Sequence, residues 1–314
     1  MKKYLYILFF LAFGLFTLYG EKNLNFSITP KTGICYGKIG ESLYKSFSDR
    51  LVSYLTWDEK PLISLGFESD LIIKNHNLSF NYLNFIPMNC GQMTDSDWKI
   101  AGVKTNYSIF ENHSNYNADL SLRYFYSFDF GDFSFGPSSK IDFTYRNFSG
   151  ENGYGWNGGT ESWDNPENEK KRYSGINYNH INVSILLEAF GKYTNNHFSS
   201  DLFIGLSPFT FTKMTDIHLD ENTYTDPNKS KEFTTISYHF GSFMHFSGEL
   251  KLNYSLNDRF TIYGDLLANT IFLIKGKTKT DAYNTKGDFE YIPQNSGFDM
   301  QEVQVNFGII CKCN

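Results

Sequence analysis

In the stretch DLSLRYFYSF, from Asp119 to Phe128, polar and apolar residues alternate, and this alternation indicates the fold class of the chain. The apolar side chains on one face are Leu120, Leu122, Tyr124, Tyr126 and Phe128, and the polar ones opposite are Asp119, Ser121, Arg123 and Ser127. Successive side chains of a β-strand point to opposite faces of the sheet. The stretch therefore predicts a strand with one apolar and one polar face.

The same period of two recurs along the chain. EVQVNFGIIC (302–311) places Val303, Val305, Phe307 and Ile309 on one face, opposite Glu302, Gln304 and Asn306. SYHFGSFMHFSGELKLNY (237–254) alternates in the same way. No stretch of comparable length shows a helical period, so we predict an all-β fold.

One apolar and one polar face fit either a soluble sandwich, with its apolar face inside, or a membrane barrel, with its apolar face outside. The lengths of the breaks between the strands distinguish the two folds. Short breaks lie at 74–77, 129–132, 194–197 and 255–258, and long polar ones at 89–116, 150–175, 216–232 and 276–298. The two kinds alternate along the chain, which is the arrangement of a barrel with short turns at one rim and long loops at the other. With a further hairpin near Glu41–Arg50, the count predicts a ten-stranded antiparallel transmembrane β-barrel with long extracellular loops. An aromatic content of 18% suits the aromatic girdles of such barrels.

The first twenty residues, MKKYLYILFFLAFGLFTLYG, predict a secretory signal peptide. Lys2 and Lys3 supply its positive start, and the apolar run from Tyr4 to Tyr19 is shorter than the ~20 residues of a membrane-spanning helix. We therefore expect residues 21–314 to form a single barrel domain. Because a closed barrel leaves no open sheet edge, we expect a monomer. The ending CKCN departs from the aromatic final residue that is usual in outer-membrane barrels.

Cysteine spacing and net charge limit the kinds of partner. Cys35, Cys90, Cys311 and Cys313 include no CxxC spacing typical of a metal site. We expect four free, buried thiols, with a bridge between Cys35 and the C-terminal pair as the alternative. A net charge of −6 argues against nucleic acid as a partner.

Two short patterns in the long polar segments suggest chemistry. Asp95 and Asp97 lie two residues apart in GQMTDSDWKI, and Asp216 and His218 have the same spacing in KMTDIHLDENTYTDP. In extended backbone, both members of such a pair project from one face. Asp216 can orient the imidazole of His218, and a water held between His218 and the two acids becomes a nucleophile by general-base catalysis. Two acids side by side should also raise the pKa of one of them. Solvated loop acids and a metal site are the alternatives.

The residues around both pairs resemble the omptin family of outer-membrane aspartate/histidine proteases. MTDSDW (93–98) is similar to the family's M-x-D-x-D-W segment, and DIHLDENTYTDP (216–227) to its D-x-H segment. Trp57 and His113 fall near positions where the family has the same residue types. The resemblance implies an extracellular cleft in which Asp95 and His218 hold the nucleophilic water, Asp216 orients His218 and Asp97 partners Asp95. It implies a hydrolase that cleaves protein or peptide substrates and needs no metal.

The resemblance also carries expectations about specificity and lipid. Omptins favour basic residues at the scissile bond, and Glu41 matches a substrate-binding glutamate of the family. A second acid is expected two residues before Asp216, where this chain has Met214, so we expect a less negative pocket and more tolerance of uncharged residues. The family requires lipopolysaccharide, for which Arg146 and Lys171/Arg172 are candidate contacts.

A catalytically silent barrel, acting as an adhesin or small porin, is the alternative function. A barrel of ten strands leaves little room for an aqueous channel, because diameter grows with strand number.

Overall fold

The computed structural model of the chain describes residues 24–45, 48–158, 162, 171–173, 175–219, 232–280 and 290–313. The predicted signal peptide lies outside these residues and stays a prediction. Within the described ranges, no helix has the length and apolar character needed to cross a membrane.

Fifteen strands form one antiparallel sheet in the described part of the chain. They are β1 (Leu24–Tyr44), β2 (Leu51–Ile73), β3 (His76–Phe85), β4 (Met88–Asp97), β5 (Asn106–Ser114), β6 (Asn117–Tyr126), β7 (Phe128–Phe130), β8 (Phe133–Asn157), β9 (Lys171–Tyr173), β10 (Ile176–Asn195), β11 (Phe198–Leu219), β12 (Glu232–Gly241), β13 (His245–Ser255), β14 (Phe260–Thr280) and β15 (Glu290–Cys313). Tight turns at residues 73–76, 130–133, 195–198 and 255–260 lie at one end, here called the short-turn end. The opposite end is called the long-loop end.

The sheet closes on itself, which confirms the predicted barrel. β1 pairs with β2 on one side and with β15 on the other, from Phe26 opposite Cys313 to Tyr44 opposite Asn295. The ring runs β1–β2–β4–β5–β8–β10–β11–β12–β14–β15 near the long-loop end. Near the short-turn end, β3, β6 and β13 take the places of β4, β5 and β12.

The strand count thus differs from the predicted ten, although the wall is ten strands around at either level. Short interruptions divide several long strands into separate segments. One falls at Ile86 and Pro87, between β3 and β4, where proline lacks the N–H that a ladder needs. Alternation of polarity continues across the break between β12 and β13, so the sequence pattern counts these two segments as one strand, whereas β4 falls in the predicted loop at 89–116.

The barrel has the reverse of the usual polarity of a soluble protein. Its outer face carries exposed apolar side chains, here called the apolar band, which include Ile34, Ile63, Leu65, Leu120, Leu122, Ile141, Leu187, Leu202, Ile204, Leu252, Leu266, Val303, Val305 and Phe307. Exposed polar side chains, such as Lys38 and Lys60, follow on the outer face toward the long-loop end. An apolar outer face over a polar interior is the signature of a barrel in a bilayer.

Charged side chains fill the lumen behind the apolar band. This ionic layer consists of Lys31, Glu68, Arg123, Glu188, Glu249, Lys251 and Asp265. Arg123 donates to Glu188 at 2.8 Å and to Glu249 at 2.5 Å, and Lys31 donates to Glu68 at 2.9 Å. The opposite charges are paired, as buried ions must be to offset the loss of water.

A second ionic cluster lies closer to the long-loop end. Arg146 of β8 is fully buried and donates at 2.6 Å to Glu59 of β2, Asp119 of β6 and Glu302 of β15. Arg146 was a candidate lipid contact, with ordinary surface charge as the alternative, and its burial in the lumen shows that both interpretations are wrong. Its neighbours in sequence alternate faces, and position 146 falls on the lumen side.

Apolar side chains close the lumen next to this cluster, toward the long-loop end. They are here called the aromatic floor and comprise Trp57, Met93, Phe148, Tyr178, Met214 and Phe298, each no more than 1% exposed. Trp57 stacks on Tyr178 with ring centroids 5.0 Å apart and on Phe148 at 6.1 Å. The lumen is therefore filled by paired ions and then by packed rings.

All four cysteines are free, as expected, but only two of them are buried. Cys35 and Cys90 are buried, Cys311 is half-buried and Cys313 is exposed, since the last two follow the outward face of β15. Cys35 faces the lumen and pairs with Gln304, seven residues from Cys311 along β15. That separation is far beyond the reach of a disulfide, so the described geometry excludes the alternative bridge.

Candidate active site

Both pairs of candidate residues lie on strands, in the part of the barrel wall that continues beyond the apolar band. Asp95 and Asp97 are on β4, and Asp216 and His218 are on β11. They were expected in loops, and this is wrong. Above the band both faces of a strand meet polar surroundings, so the alternation that identifies a strand disappears from the sequence.

The acid pair, Asp95 and Asp97, projects from one face of β4 toward the lumen, the face that also carries the buried Met93. β4 is held between β2 and β5, with Leu55 and Ser108 opposite Asp95. Asp97 accepts a hydrogen bond from the side-chain amide of Asn106 at 3.0 Å. Asp95 Oδ1 is buried and accepts no hydrogen bond from the described residues.

The Asp–His pair, Asp216 and His218, is joined by a hydrogen bond of 2.7 Å between Asp216 Oδ2 and His218 Nε2. The i, i+2 spacing on one strand produces this contact, as the sequence predicted. Asp216 is buried, whereas the His218 side chain is 23% exposed. The imidazole therefore has a fixed orientation and still reaches the open end of the barrel.

The two pairs face each other across the lumen. β5, β8 and β10 separate β4 from β11 along the wall, yet the charges of Asp95 and His218 act on each other. Burial, then the neighbouring Asp97 charge and, more weakly, the Asp216 charge raise the pKa of Asp95 to about 7, against the opposing effects of His218 and a hydrogen bond from Ser53. Two adjacent acids were expected to raise one pKa, and here burial contributes more than the second acid.

The pKa of His218 is also raised, which for an imidazole favours the charged form. Burial lowers it, but the Asp216 carboxylate and its hydrogen bond, with Asp95 and Glu41 adding to them, raise it to about 9. At neutral pH the imidazole is therefore protonated, and Asp95 exchanges a proton near pH 7. This arrangement combines a cation with a carboxylate poised to accept or donate a proton.

Glu41 belongs to the same cluster. It lies on β1 and is 2% exposed, with Leu55 of β2 and Phe298 of β15 as its cross-strand neighbours. Burial first, and then the Asp216 and Asp95 charges, hold the pKa of Glu41 well above its usual range, although His218 acts in the opposite direction. Glu41 is therefore an acid beside the catalytic candidates, in largely apolar surroundings.

The aromatic floor supports these residues from below. Met214, two residues before Asp216, is buried in it. Trp57, which the family resemblance singled out, is its central ring, with Tyr178 and Phe148 stacked against it. Sequence reasoning missed Tyr178, because nothing in its local pattern distinguishes it from the other tyrosines of a strand-rich chain.

Two side chains of β5, the strand that pairs with β4, point away from the acid pair. His113 lies on the outward face of β5 and hydrogen-bonds Asn89 at 2.9 Å. Glu111, on the same face, accepts a hydrogen bond from Asn152 at 2.9 Å. The side chains of Lys171 and Arg172 lie outside the described residues.

One group of potential metal ligands is present in the described residues, and it is separate from the two pairs. Cys35, Glu59 and Glu302 bring a thiol and two carboxylates together. The guanidinium of Arg146 already binds both carboxylates at 2.6 Å, and it supplies the positive charge that a metal ion would bring. The donor set therefore fits an ion-pair cluster better than a metal centre.

Comparison with known proteins identifies the chain. The model of the Omptin family matches residues 22–312. The crystal structure of the outer membrane protease OmpT from Escherichia coli superposes with a TM-score of 0.79 at 16% identity, covering 92% of this chain and 97% of that one. This likeness shows the same barrel fold.

Two further solved structures match with much lower TM-scores. The translocator domain of the autotransporter NalP from Neisseria meningitidis gives a TM-score of 0.29 at 12% identity, covering 90% of this chain and 88% of that one. The toluene transporter TodX from Pseudomonas putida gives 0.22 at 7% identity, with 90% and 89% covered. No curated protein matches by sequence. Because the family model matches nearly the whole chain, the protein belongs to the omptin family, as its motifs predicted.

Proposed function

We propose that the protein is an outer-membrane endopeptidase, a hydrolase that attacks peptide bonds with a water molecule activated between Asp95 and His218. The observation that carries this proposal is the placement of Asp95 on β4 and of the hydrogen-bonded Asp216–His218 pair on β11, four strands away around the same ring. Membership of the omptin family and the shared fold with an outer membrane protease support it.

In the proposed reaction, ionised Asp95 accepts a proton from the water, and the hydroxide adds to the peptide carbonyl carbon. The protonated imidazole of His218 stabilises the negative charge on the carbonyl oxygen, and Asp216 holds the imidazole in place. The proton on Asp95 then passes to the leaving nitrogen as the C–N bond breaks. Asp97 keeps Asp95 protonatable near neutral pH by like-charge repulsion.

We further propose that cleavage occurs at or near basic residues. Asp95 Oδ1, Asp216 Oδ1 and Glu41 Oε2 are buried acceptors with no hydrogen-bond partner among the described residues. A cluster of unpartnered acceptors favours a ligand rich in donors, and lysine and arginine carry only donors. Glu41 is the proposed substrate-binding acid.

The proposed setting is the outer membrane, with the active site at the long-loop end facing the extracellular side. The apolar band supports insertion in a bilayer, and the cleft lies beyond it. Lipopolysaccharide is a proposed lipid partner, and the protein is proposed to act as a monomer because its ring has no free edge.

The test is a digest of a peptide library by the purified barrel, with and without lipopolysaccharide and a chelator. Asp95→Ala, Asp97→Ala, Asp216→Ala and His218→Ala are each compared with His113→Ala, which changes an outward-facing histidine. We expect losses of about 10²–10⁴-fold in kcat/KM for the four site variants, with the barrel still folded. Equal cleavage by all five variants, or activity abolished by chelator alone, would contradict the proposal.

A further inference from the structure

A small cavity lies inside the lumen, between the ionic layer and the Arg146 cluster. Its lining includes Arg123, Glu249 and Asp265 of the ionic layer, and also Asp119, which binds Arg146. The volume of about 30 Å³ gives room for about two water-sized occupants. The cavity therefore has the size of a site for a single small ion or for water.

The carboxylates of this cavity outnumber the cations that serve them. Five carboxylates and four cationic side chains line it. One of the four, Arg123, is shared with Glu188, which lies outside the lining. Asp119 obtains its cation from Arg146, which also binds two further carboxylates. Because a buried carboxylate without a cation is costly, the surplus negative charge favours an occupant that is positively charged.

Gln304 of β15 supplies an oxygen acceptor at the same place. Its side chain lines the cavity, and the residue is 2% exposed. The amide nitrogen donates to Asp119 at 2.8 Å and to Glu302 at 2.9 Å, so both of its N–H groups are used. These two bonds determine the orientation of the amide. Its Oε1 is buried and accepts no hydrogen bond from the described residues.

Asn81 of β3 contributes a second amide oxygen to the lining. Its Oδ1 is buried and likewise accepts no hydrogen bond from the part of the chain that the structure describes. Amide and carboxylate oxygens are the ligands of hard cations. Calcium takes about six to eight oxygen ligands and magnesium keeps several of its waters, and this cavity is too small for either arrangement. A monovalent ion fits both the volume and the modest surplus of charge.

The site can be reached from the short-turn end. The cavity of about 700 Å³ at that end shares Glu68, Ser79, Arg123 and Lys251 with the small cavity. The aromatic floor closes the lumen on the other side. An ion therefore enters or leaves by displacement of these shared side chains, and we expect this exchange to be slow because they are held in ion pairs.

We propose that the small cavity binds one monovalent metal cation, sodium, through the amide oxygens of Gln304 and Asn81 and the surplus charge of the neighbouring carboxylates. The inference does not depend on the proposed endopeptidase function. The bound ion connects β15 to β3 inside the barrel. It stabilises the folded chain, because the unfolded chain has no such site.

The experiment measures the urea-induced unfolding of the purified barrel in phospholipid vesicles while sodium chloride is replaced stepwise by choline chloride. Total salt stays constant, so general screening of surface charges is the same throughout. Choline is too large for a cavity of about 30 Å³. For one bound ion, each tenfold rise in sodium above its dissociation constant should lower the unfolding equilibrium constant about tenfold.

Variants of two glutamines on β15 separate the possible outcomes. Gln304→Met removes the free amide oxygen and should unfold at the same urea concentration in both salts. Its matched control is Gln301→Met, on the exposed face of the same strand, which should respond to sodium as the wild type does. Gln304→Lys places an ammonium group near the position of the ion. This variant should also be insensitive to sodium, and it replaces Gln304→Met if that variant does not fold.

Two results would overturn the site. One is equal stability of the wild type in sodium and choline, as expected for a cavity that holds only water or a proton. The other is a sodium response in the Gln304 variants as large as that of the wild type. Because unfolding is measured without a substrate, neither result bears on peptide cleavage.

Discussion

The chemistry of the site depends on which of two side chains carries a proton. The pKa of Asp95 is raised to about 7 and that of His218 to about 9, so between these values the site contains a carboxylate and an imidazolium. The sequence left both Asp95 and His218 as groups that could take the proton of the water. The proposed mechanism assigns this role to Asp95, because Asp216 keeps the imidazole charged.

This assignment predicts the pH profile of kcat/KM for an uncharged substrate. Activity should rise with pH through about 7, as Asp95 ionises, and fall through about 9, as His218 loses its proton. The profile is measured in steady-state assays with a peptide substrate that has no ionisable side chain. A profile whose rising limb lies near 9 would show that neutral His218 is the base instead.

The Asp216–His218 bond predicts a measurable change in the imidazole itself. Removing the carboxylate charge in Asp216→Asn leaves burial as the main influence, so the pKa of His218 should fall from about 9 to below its ordinary value. NMR titration of the ring protons measures this without any substrate, with His218→Gln used to assign the resonance. An unchanged pKa would mean that another group holds the proton.

At the level of single residues, the sequence correctly predicted contacts that depend only on the spacing of residues along one strand. The i, i+2 pairs determine which side chains share a face, so the contact between Asp216 and His218 was predictable. The position of Tyr178 opposite Asp216 depends on register between strands, and the contacts of Arg146 with Glu59 and Glu302 depend on closure of the barrel. Neither is encoded in a short stretch of residues.

At the scale of strands, the wall continues past the bilayer. β4 and the last residues of β11 stand beyond the apolar band, where they carry the catalytic candidates on paired backbone rather than on free loops. Backbone pairing limits the motion of these side chains, which favours the fixed geometry that a positioned water needs. The predicted loops at 89–116 and 216–232 therefore begin as rigid strand.

Four strands are linked through a single side chain, which predicts a large effect on stability. Arg146→Met removes the shared partner of Glu59, Asp119 and Glu302 and leaves buried acids without their cation. We expect a loss of about 3–5 kcal/mol in the free energy of unfolding, measured by urea titration of the barrel in lipid vesicles.

The matched control is Lys60→Met, since Lys60 pairs with Asp58 at 3.0 Å but is half exposed. Exposed pairs contribute about 0–1 kcal/mol, so this variant should unfold almost as the wild type does. Equal stability of both variants would show that the Arg146 cluster does not hold the strands together.

For the molecule as a whole, the filled lumen bears on the alternative of a small porin. The ionic layer and the aromatic floor lie in series along the barrel axis. A cavity of about 700 Å³ opens at the short-turn end, and its lining includes Arg123, Glu68 and Lys251 of the ionic layer. The ionic layer and then the aromatic floor therefore block the path of water and ions that enter this cavity.

This blockage predicts no steady ion current. Purified protein reconstituted in a planar bilayer should show no stepwise conductance at moderate voltage, whereas Trp57→Ala combined with Arg123→Ala should admit transient leak. Regular conductance steps in the wild type would favour the porin alternative over the protease.

The overall fold was predictable because alternation and break lengths are properties of the whole chain. Strands such as Asp119–Phe128 show their lipid face directly, since lipid on one side and a polar lumen on the other impose period two. The count of fifteen segments was not predictable, because an interruption such as that between β12 and β13 leaves the period intact. The length of strand beyond the apolar band was not predictable because the alternation of polar and apolar residues is absent there.

The seam between β1 and β15 has a consequence for biogenesis. Partners at this seam come from opposite ends of the chain, with Phe26 beside Cys313, so no partial translation product contains both. Closure of the cylinder must therefore wait until β15 has been synthesised. Deleting the last dozen residues should therefore abolish maturation altogether, although every proposed catalytic group would still be present.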